Sequence, residues 1–471
     1  MIRKGYPLAA LGLAVVLFFT GCGGDSKSRD NGDDASSLEG DIVTDADAPT
    51  DAESGKEGDD AGNTVVAGDT AGDTDAGQDG SEEAGQSEED LYWESVLEEE
   101  FKDSQYDLTA ALTGPALKDL ASKYFMLGVG INGSTLENQT LNMPEYMAVC
   151  RKHFNSCTMT NLMKSCYILV QDASRENLEN GDGSPVLSYA SIDPTLQWCM
   201  DNGMQMRGHT LVWHAQAPGW FFREGYTDDG AFVDKDTMLF RMESYIRQLM
   251  THVQENYPGV VYCWDVVNEA VDPDNGDPDS SFRCRTKCDD GVNPWYATIG
   301  EDYVEMAFTY ARKYAADGVK LFYNDYNTYQ SNKTQEIIAL CESLKEKNLI
   351  DGIGMQGYWG IDYPSTVMIE TAIRLFSKLD LEIHITEWST GVEEENEEQF
   401  KKQAQKYATT LLAIISLDQE CGGPANITSV TFFGLIDHYR EGDTTNTRLF
   451  DSEYQPKPAF ERILDILKFK Q

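Results

Sequence analysis

The stretch VYCWDVVNEAVD at residues 261–272 is apolar over most of its length and then presents an amide and a carboxylate, Asn268 and Glu269. Its β-branched and aromatic residues are typical of a buried strand. In folds built from parallel strands, chemistry takes place at the carboxyl ends of the strands, where such polar side chains collect. Other strands of this chain that end in the same way would place their polar side chains near Asn268 and Glu269.

Seven further runs are also short and rich in β-branched or aromatic residues, and helix-like segments such as EDYVEMAFTYARKYAADG (301–318) separate them. The runs are YFMLGVGIN (124–132), HFNSCTMT (153–160), QMRGHTLVWH (205–214), KLFYNDYN (320–327), DGIGMQGYW (351–359), EIHITEWS (382–389) and ITSVTFFGLID (427–437). Eight strand–helix units over roughly 360 residues predict an α/β fold, an eight-stranded parallel (β/α) TIM barrel, in a domain at residues 96–471. An open doubly wound sheet is the alternative, but no Gly-rich phosphate turn follows the first run.

Polar side chains lie at or just beyond the ends of these runs. They are Asn132, Asn161, Lys164, His209, His214, Asn268, Glu269, Asn324, Asp325, Gln356, Glu387, Asp437 and His438. In a closed barrel the carboxyl ends of the strands share one face, so residues more than a hundred positions apart are expected to converge there.

Two of these residues carry the chemistry. Glu269 ends the fourth run and Glu387 ends the seventh, so they face each other across the mouth of the barrel. Two carboxyls that flank a cleft can cleave a glycosidic bond, with retention at a separation of about 5–5.5 Å and with inversion at about 6.5–9.5 Å. Metal-dependent hydrolysis is the rival chemistry, but the six His lack ligand spacing, and we expect neither a metal nor a cofactor.

The charge of the chain restricts its partners. A formal net charge of −43 disfavours nucleic acid and anionic membrane surfaces as partners, because both would repel the protein. A neutral polymer is compatible with this charge.

The first hundred residues differ from the rest. Residues 23–100 hold 26 acidic and three basic residues, and we predict that residues 23–95 form a disordered acidic linker. Residues 1–22 are typical of a lipoprotein signal peptide, with a basic start, a short apolar stretch and small residues before Cys22, which would be lipidated. We expect a surface-exposed lipoprotein of the cell envelope, held to the membrane by its lipid anchor only. A secreted form and a transmembrane helix are the alternatives.

The remaining nine Cys form an odd set, which excludes a fully paired disulfide framework. Cys284 and Cys288, in the polar segment FRCRTKCDD, are the best candidates for a disulfide. A zinc site is less favoured because no second pair at ligand spacing accompanies them.

The chain from about residue 115 to 468 resembles glycoside hydrolase family 10, the retaining endo-β-1,4-xylanases. The resemblance rests on RGHTLVWHAQAPGW (207–220), WDVVNEA (264–270) and ITEW (385–388), supported by NDYN (324–327) and PKPAF (456–460). It implies Glu387 as the nucleophile, Glu269 as the acid/base and a covalent xylosyl-enzyme intermediate. It further implies a monomer that acts on xylan or a related β-glycan.

The resemblance also implies residues that bind the sugar chain. Asn268 would hold the 2-hydroxyl at the cleavage point, and Gln356 would border the nucleophile. Lys164, His209 and Trp213 would line the glycone side, with Asn161 and Gln216 one sugar further out.

Several positions depart from the family pattern. Thr160 replaces a Glu, and Tyr358 and Ser389 replace a His and an Asp that in the family form a relay orienting the nucleophile. We hypothesise that the Tyr358 hydroxyl, together with Ser389, donates to Glu387 instead. Phe433 replaces a Trp, and Arg440–Glu441 stands where a second Trp is expected, which reshapes the glycone subsite. The alternatives are therefore a same-fold hydrolase of a decorated xylan or another β-glycan, or an inactive carbohydrate-binding lipoprotein.

Overall fold

A computed structural model describes residues 87–288 and 291–469. The predicted signal peptide at residues 1–22, its Cys22 and most of the predicted linker at residues 23–95 lie outside the described residues. Among the residues that are described, no helix combines the length and the apolar character needed to cross a bilayer.

Eight parallel strands close into a barrel, which confirms the predicted fold. They are β1 (Met126–Ile131), β2 (Ser156–Met159), β3 (Gln205–Trp213), β4 (Val261–Asn268), β7 (Lys320–Asp325), β8 (Gly352–Met355), β9 (Glu382–Trp388) and β10 (Asn426–Phe432). The order around the ring is β1-β10-β9-β8-β7-β4-β3-β2, with every neighbouring pair parallel. Each of the eight predicted runs coincides with one of these strands, although β10 begins at Asn426, one residue before its run. A small antiparallel hairpin, β5 (Lys287–Cys288) and β6 (Gly291–Val292), stands apart from the barrel.

Helices surround the strands. They are α1 (Glu88–Glu99), α2 (Thr109–Leu112), α3 (Leu117–Ala121), α4 (Pro144–His153), α5 (Ser165–Ile168), α6 (Gln171–Glu179), α7 (Asp193–Asp201), α8 (Lys235–Asn256), α9 (Pro294–Ile299), α10 (Tyr303–Tyr314), α11 (Ser331–Glu346), α12 (Thr366–Phe376), α13 (Glu397–Leu417) and α14 (Pro458–Phe469). Short 3₁₀ turns occupy Thr140–Asn142, Gly219–Phe222, Glu224–Tyr226, Ser377–Leu379 and Gln419–Cys421.

The first helix corrects the predicted boundary of the linker. Residues 88–95, assigned to the disordered linker, belong to α1, which starts with a capping box between Ser87 and Asp90. Trp93 and Val96 are buried, and Glu89 pairs at 3.0 Å with the buried Lys152 of α4. Two apolar side chains and one ion pair therefore hold α1 against the barrel domain, although its composition is similar to that of the acidic linker.

The cysteine prediction was wrong. Cys284 and Cys288 are not joined by a disulfide: Cys284 is buried, while the Cys288 thiol lies 3.3 Å from the Val292 carbonyl within the hairpin. The polar residues around both cysteines suggested a common exposed loop, but the backbone places the Cys284 side chain in the core.

An ionic cluster lies inside the barrel below its mouth. Arg207 of β3 makes two hydrogen bonds to Asp265 of β4, and the Nδ1 of His209 lies 2.9 Å from an oxygen of the same carboxylate. All three side chains are buried. The contact with Asp265 fixes the position of the His209 ring in the barrel interior.

Candidate active site

The two carboxylates predicted to carry the chemistry lie at one end of the barrel. Glu387 is near the end of β9, and Glu269 follows the last residue of β4. Two strands, β7 and β8, separate β4 from β9 in the ring, as the strand count predicted. Both carboxylates are buried, with 5% of Glu387 and 8% of Glu269 exposed, so that each depends on protein donors for its hydrogen bonds.

Glu387 accepts a hydrogen bond on each oxygen. The Asn324 amide donates to Oε1 at 2.9 Å, and the Tyr358 hydroxyl donates to Oε2 at 2.5 Å. The hypothesised contact between Tyr358 and Glu387 is therefore present. The second half of that hypothesis was wrong, because the buried Ser389 hydroxyl has no hydrogen-bond partner among the described residues.

Glu269 is held by three side-chain donors. Gln356 donates to its Oε1 at 2.8 Å, Asn268 donates to the same oxygen at 3.2 Å, and the Trp213 indole donates to Oε2 at 2.9 Å. Gln356, which was expected to border the nucleophile, thus donates to Glu269. Arg285, which no sequence pattern distinguishes, donates to the backbone carbonyl of Glu269 at 2.8 Å.

The backbone of Glu269 has a φ of +58°, an unfavourable conformation for a residue with a side chain. Its N–H donates to the Asn324 carbonyl at 2.9 Å, and its own carbonyl accepts from Arg285. These two contacts fix the turn that follows β4 and so the direction in which the carboxylate points.

A chain of side-chain amides connects the two carboxylates. The oxygen of Asn268 accepts from Asn324 at 3.0 Å and from Gln356 at 3.3 Å. Asn324 also donates to Glu387, and Gln356 also donates to Glu269. The position of each carboxylate is consequently tied to that of the other. Thr386 donates to the oxygen of Asn324 at 2.7 Å, which fixes the orientation of the Asn324 amide.

The remaining predicted residues flank the two carboxylates. The Lys164 ammonium lies 4.7 Å from the centre of the Trp213 ring and donates to the Asn161 side chain at 3.2 Å. The exposed Gln216 reaches the same Asn161 oxygen at 3.5 Å. Phe433 packs edge-on against Tyr358, with ring centres 6.3 Å apart. The structure therefore brings the predicted sugar-binding residues other than His209 into connected groups around the two carboxylates, whereas His438 contacts Glu395 at 2.8 Å.

The two carboxylates differ in acidity. Burial raises the pKa of Glu387 and outweighs the His209, Tyr358 and Asn324 groups that lower it. Burial also raises the pKa of Glu269, but His214, Gln356, Arg285 and Trp213 lower it by more, so its pKa lies below the ordinary value. Burial lowers the pKa of His214 to about 4, so this imidazole is neutral at higher pH and its share of the effect on Glu269 is then lost. The two directions are opposite: the pKa of Glu387 lies above its ordinary value and that of Glu269 lies below it.

Comparisons with known proteins agree on one family. The model of glycosyl hydrolase family 10 matches residues 116–466. A putative endo-1,4-beta-xylanase of Caldicellulosiruptor saccharolyticus is 43% identical over 313 residues, which cover 64% of this chain and 96% of the relative. Endo-1,4-beta-xylanase B of Butyrivibrio fibrisolvens is 38% identical over 355 residues, which cover 74% of this chain and 52% of the relative. The chain thus spans almost all of one relative and about half of the other.

A solved structure gives the same result. The N-terminal CBM22-1 and GH10 modules of the Clostridium thermocellum endo-1,4-beta-D-xylanase 10B, in complex with xylohexaose, match with a TM-score of 0.67 and 32% sequence identity. The match covers 75% of this chain and 67% of that one.

Proposed function

The chain belongs to glycosyl hydrolase family 10 and is a glycoside hydrolase, and from this premise we propose that it is a retaining endo-1,4-β-xylanase that cuts internal β-1,4-xylosidic bonds of xylan. The observation that carries the proposal is the pair Glu269 and Glu387, both buried at one end of the barrel and linked through Asn268 by side-chain amides.

In the first step Glu387 attacks the anomeric carbon of the sugar at the cleavage point. The bond from that carbon to the glycosidic oxygen breaks, and Glu269 gives its proton to the departing oxygen. The product is a covalent ester between the sugar and Glu387, while Glu269 is left as a carboxylate. Tyr358 and Asn324 hold the two oxygens of the nucleophile, so that it is oriented before the attack.

In the second step Glu269 acts as a base. It takes a proton from a water molecule that attacks the same carbon, and the ester bond to Glu387 breaks. Two successive inversions restore the original configuration. Gln356, Asn268 and Trp213 keep Glu269 in place in both steps, because each donates to its carboxylate.

We assign the flanking residues to the sugar chain. Asn268 would hold a hydroxyl at the cleavage point, because its amide lies between the two carboxylates. His209 and Trp213, with Lys164 beside the indole, would line the glycone side, and Asn161 and Gln216 would contact the next sugar. Phe433 and Tyr358 would bound the glycone subsite.

A decorated xylan or another β-glycan is the second candidate. Thr160, Phe433 and Arg440–Glu441 stand where larger or aromatic residues are typical of the family, and all of them belong to the glycone side. Smaller side chains leave room for a substituent on the sugar, whereas the carboxylates that perform the cleavage are retained.

The function is tested by measuring reducing sugar released from linear xylan, decorated xylan and cellulose. We expect release from at least one xylan, and we expect Glu387→Ala to abolish it. Glu269→Ala should be rescued by azide with an activated aryl xylobioside, to give a β-configured glycosyl azide. Binding of xylan that survives Glu387→Ala, with no release from any substrate by the natural protein, would instead indicate a carbohydrate-binding protein.

We also propose that Cys22 carries a lipid and anchors the enzyme at the surface of the cell envelope. The support is the order of basic, apolar and small residues before Cys22. An anchored hydrolase would act on polymer outside the cell, and a neutral glycan suits a chain with a formal charge of −43.

A further inference from the structure

Arg448, in the segment between β10 and α14, is a buried cation with few partners. Only 7% of the residue is exposed, and its Nη1 donates to the Thr447 hydroxyl at 2.8 Å. Its Nε is buried without a hydrogen-bond partner, and it forms no ion pair with a carboxylate of the described residues. By contrast, the buried Arg207 is paired with Asp265. An unpaired buried charge is costly, so its presence calls for an explanation.

The guanidinium is connected to Tyr358 through the segment that follows β10. A Cβ placed on Gly434 would come within 2.2 Å of its Nε, so the group packs directly against the backbone at the end of β10. The preceding residue, Phe433, contacts the ring of Tyr358, which donates to Glu387. On the other side, the Tyr407 hydroxyl donates to the Thr447 carbonyl and accepts from the N–H of Thr390.

The charge of Arg448 acts on Tyr358. Burial raises the pKa of Tyr358 well above its usual value, the Glu387 carboxylate raises it further, and the Arg448 guanidinium opposes both effects. A cation on this side makes the phenol a better donor and stabilises the anion that accepts its hydrogen bond. The same region lacks the family's His and Asp, and the Ser389 and Thr390 hydroxyls in it have no partner among the described residues.

The other charged groups nearby are already paired. Asp437 accepts from Lys457 at 2.5 Å and from the backbone N–H of Arg448 at 2.8 Å. Asp265 is bound by Arg207 and His209 inside the barrel. The hydroxyl of Tyr146 donates to the Gly130 carbonyl, and that of Tyr407 donates to Thr447. Lys457 therefore has a carboxylate partner in this region, whereas Arg448 contacts no carboxylate of the described residues.

We propose that Arg448 is a positioning residue for catalysis: its buried positive charge acts through Tyr358 to keep Glu387 ionised, in place of the His–Asp relay that this chain lacks. The proposal rests on the proposed function and deepens it. It explains why a buried arginine and a tyrosine occur together at a site where both relay residues are replaced.

The test isolates the ionisation of Glu387. In a Glu269→Gln enzyme, a dinitrophenyl xylobioside needs no acid because its leaving group departs unaided, so the pH dependence of kcat/KM reports the nucleophile alone. Activity should fall as the pH drops through the pKa of Glu387. In this background Arg448→Met should move the midpoint upward by at least half a pH unit. Arg448→Lys, which keeps the positive charge, should return the midpoint most of the way to its parent value.

Arg241 of α8 provides the matched control. It is also buried, its Nε likewise has no partner among the described residues, and its Nη1 donates to the backbone carbonyls of Phe221 and Arg223 in the segment that follows β3. Arg241→Met should leave the midpoint unchanged even if it lowers the melting temperature. If Arg448→Met does not fold, Thr447→Val removes the anchor of the guanidinium at constant volume and should shift the midpoint in the same direction.

Two further results complete the test. If Arg448 acts through Tyr358, then Tyr358→Phe combined with Arg448→Met should shift the midpoint no more than Tyr358→Phe alone. The carbon-13 signal of the Glu387 carboxyl, assigned by its loss in Glu387→Gln, gives the same midpoint in a protein with no activity. It therefore separates a failure of this inference from a failure of the proposed function. A midpoint in folded Arg448→Met equal to that of its parent would overturn the proposal.

Discussion

At the scale of single residues, the support of the nucleophile differs from the family pattern. A tyrosine and an asparagine each donate one hydrogen bond to Glu387, and Tyr358 does so at the shorter distance of 2.5 Å. Hydrogen bonds to charged groups contribute about 1.5–3 kcal/mol, which corresponds to roughly a tenfold to hundredfold change in rate if the bond is needed in the transition state.

Removing the hydroxyl of Tyr358 should therefore slow the enzyme. We expect Tyr358→Phe to lower kcat/KM on xylo-oligosaccharides by about tenfold to a hundredfold, because Glu387 loses the donor to its Oε2. Tyr245→Phe is the matched control, since the buried Tyr245 hydroxyl has no partner among the described residues. Kinetics of Tyr358→Phe that match those of the natural enzyme would contradict the role assigned to this hydroxyl.

The acidity of Glu387 leads to a second prediction. In the Glu269→Gln enzyme with an activated substrate, kcat/KM should titrate once, with a midpoint above the usual pKa of a glutamic acid, because burial raises the pKa of Glu387. The carboxyl must be ionised to attack, so activity is present above this midpoint and is lost below it. A midpoint at or below the usual value would show that the donors around Glu387 outweigh its burial.

Most residues of the candidate site could be predicted from the sequence, but few of their hydrogen-bond partners could. Glu269, Glu387, Asn268 and Gln356 could be found because each stands at the end of a strand-like run. The carboxylate that Gln356 contacts depends on side-chain torsions, which no local pattern encodes. Arg285 was missed because it lies in an irregular segment after β4, where only the folded chain shows that it holds the backbone of Glu269.

At the scale of elements, the barrel depends on close contact between neighbouring strands. Gly208 of β3 faces the indole of Trp264 of β4, and a Cβ at Gly208 would lie 2.3 Å from that ring. The indole is 1% exposed, and protein interiors are close-packed, so an added group must displace neighbouring atoms.

Adding a methyl group at this contact should destabilise the fold. We expect Gly208→Ala to lower the free energy of unfolding by about 1–3 kcal/mol, as is typical of an overpacked core, measured by urea denaturation. Gly219→Ala is the control, because a Cβ there meets no atom within 4 Å and the φ of Gly219 is not in the left-handed region. Equal stability of the two variants would contradict the close packing of β3 on β4.

The elements themselves could largely be predicted from the sequence. All eight strands follow from their β-branched and aromatic runs, because a strand buried on both faces needs an apolar residue at nearly every position. Helix α1 could not be predicted, since only Trp93 and Val96 of this segment, which is rich in acidic residues, are buried. The burial of Cys284 as a free thiol could not be predicted either, because it depends on the path of the chain after β4 rather than on the neighbouring residues.

At the scale of the whole molecule, the proposed anchor and the barrel are separate in sequence. Cys22 precedes α1 by more than sixty residues of mostly acidic and small side chains. Such a spacer would allow the barrel to work at a distance from the membrane.

Removal of the anchor should therefore change location and leave catalysis intact. We expect Cys22→Ser to move the enzyme from the membrane fraction to the soluble fraction, with kcat/KM on soluble xylo-oligosaccharides within twofold of the natural enzyme. Membrane-bound activity that persists in Cys22→Ser would contradict the lipid anchor. A large loss of kcat/KM in the released enzyme would show that the barrel needs the preceding segment.

The most direct test of the account is covalent capture of the nucleophile. A 2-deoxy-2-fluoro xylobioside with a dinitrophenyl leaving group should react once with the enzyme. The fluorine slows both steps, but the activated leaving group keeps the first step fast, so the covalent intermediate accumulates. Mass spectrometry of peptic fragments should then find the xylobiosyl group as an ester on Glu387. A label on another residue, or turnover of xylan by Glu387→Ala at the natural rate, would contradict the account.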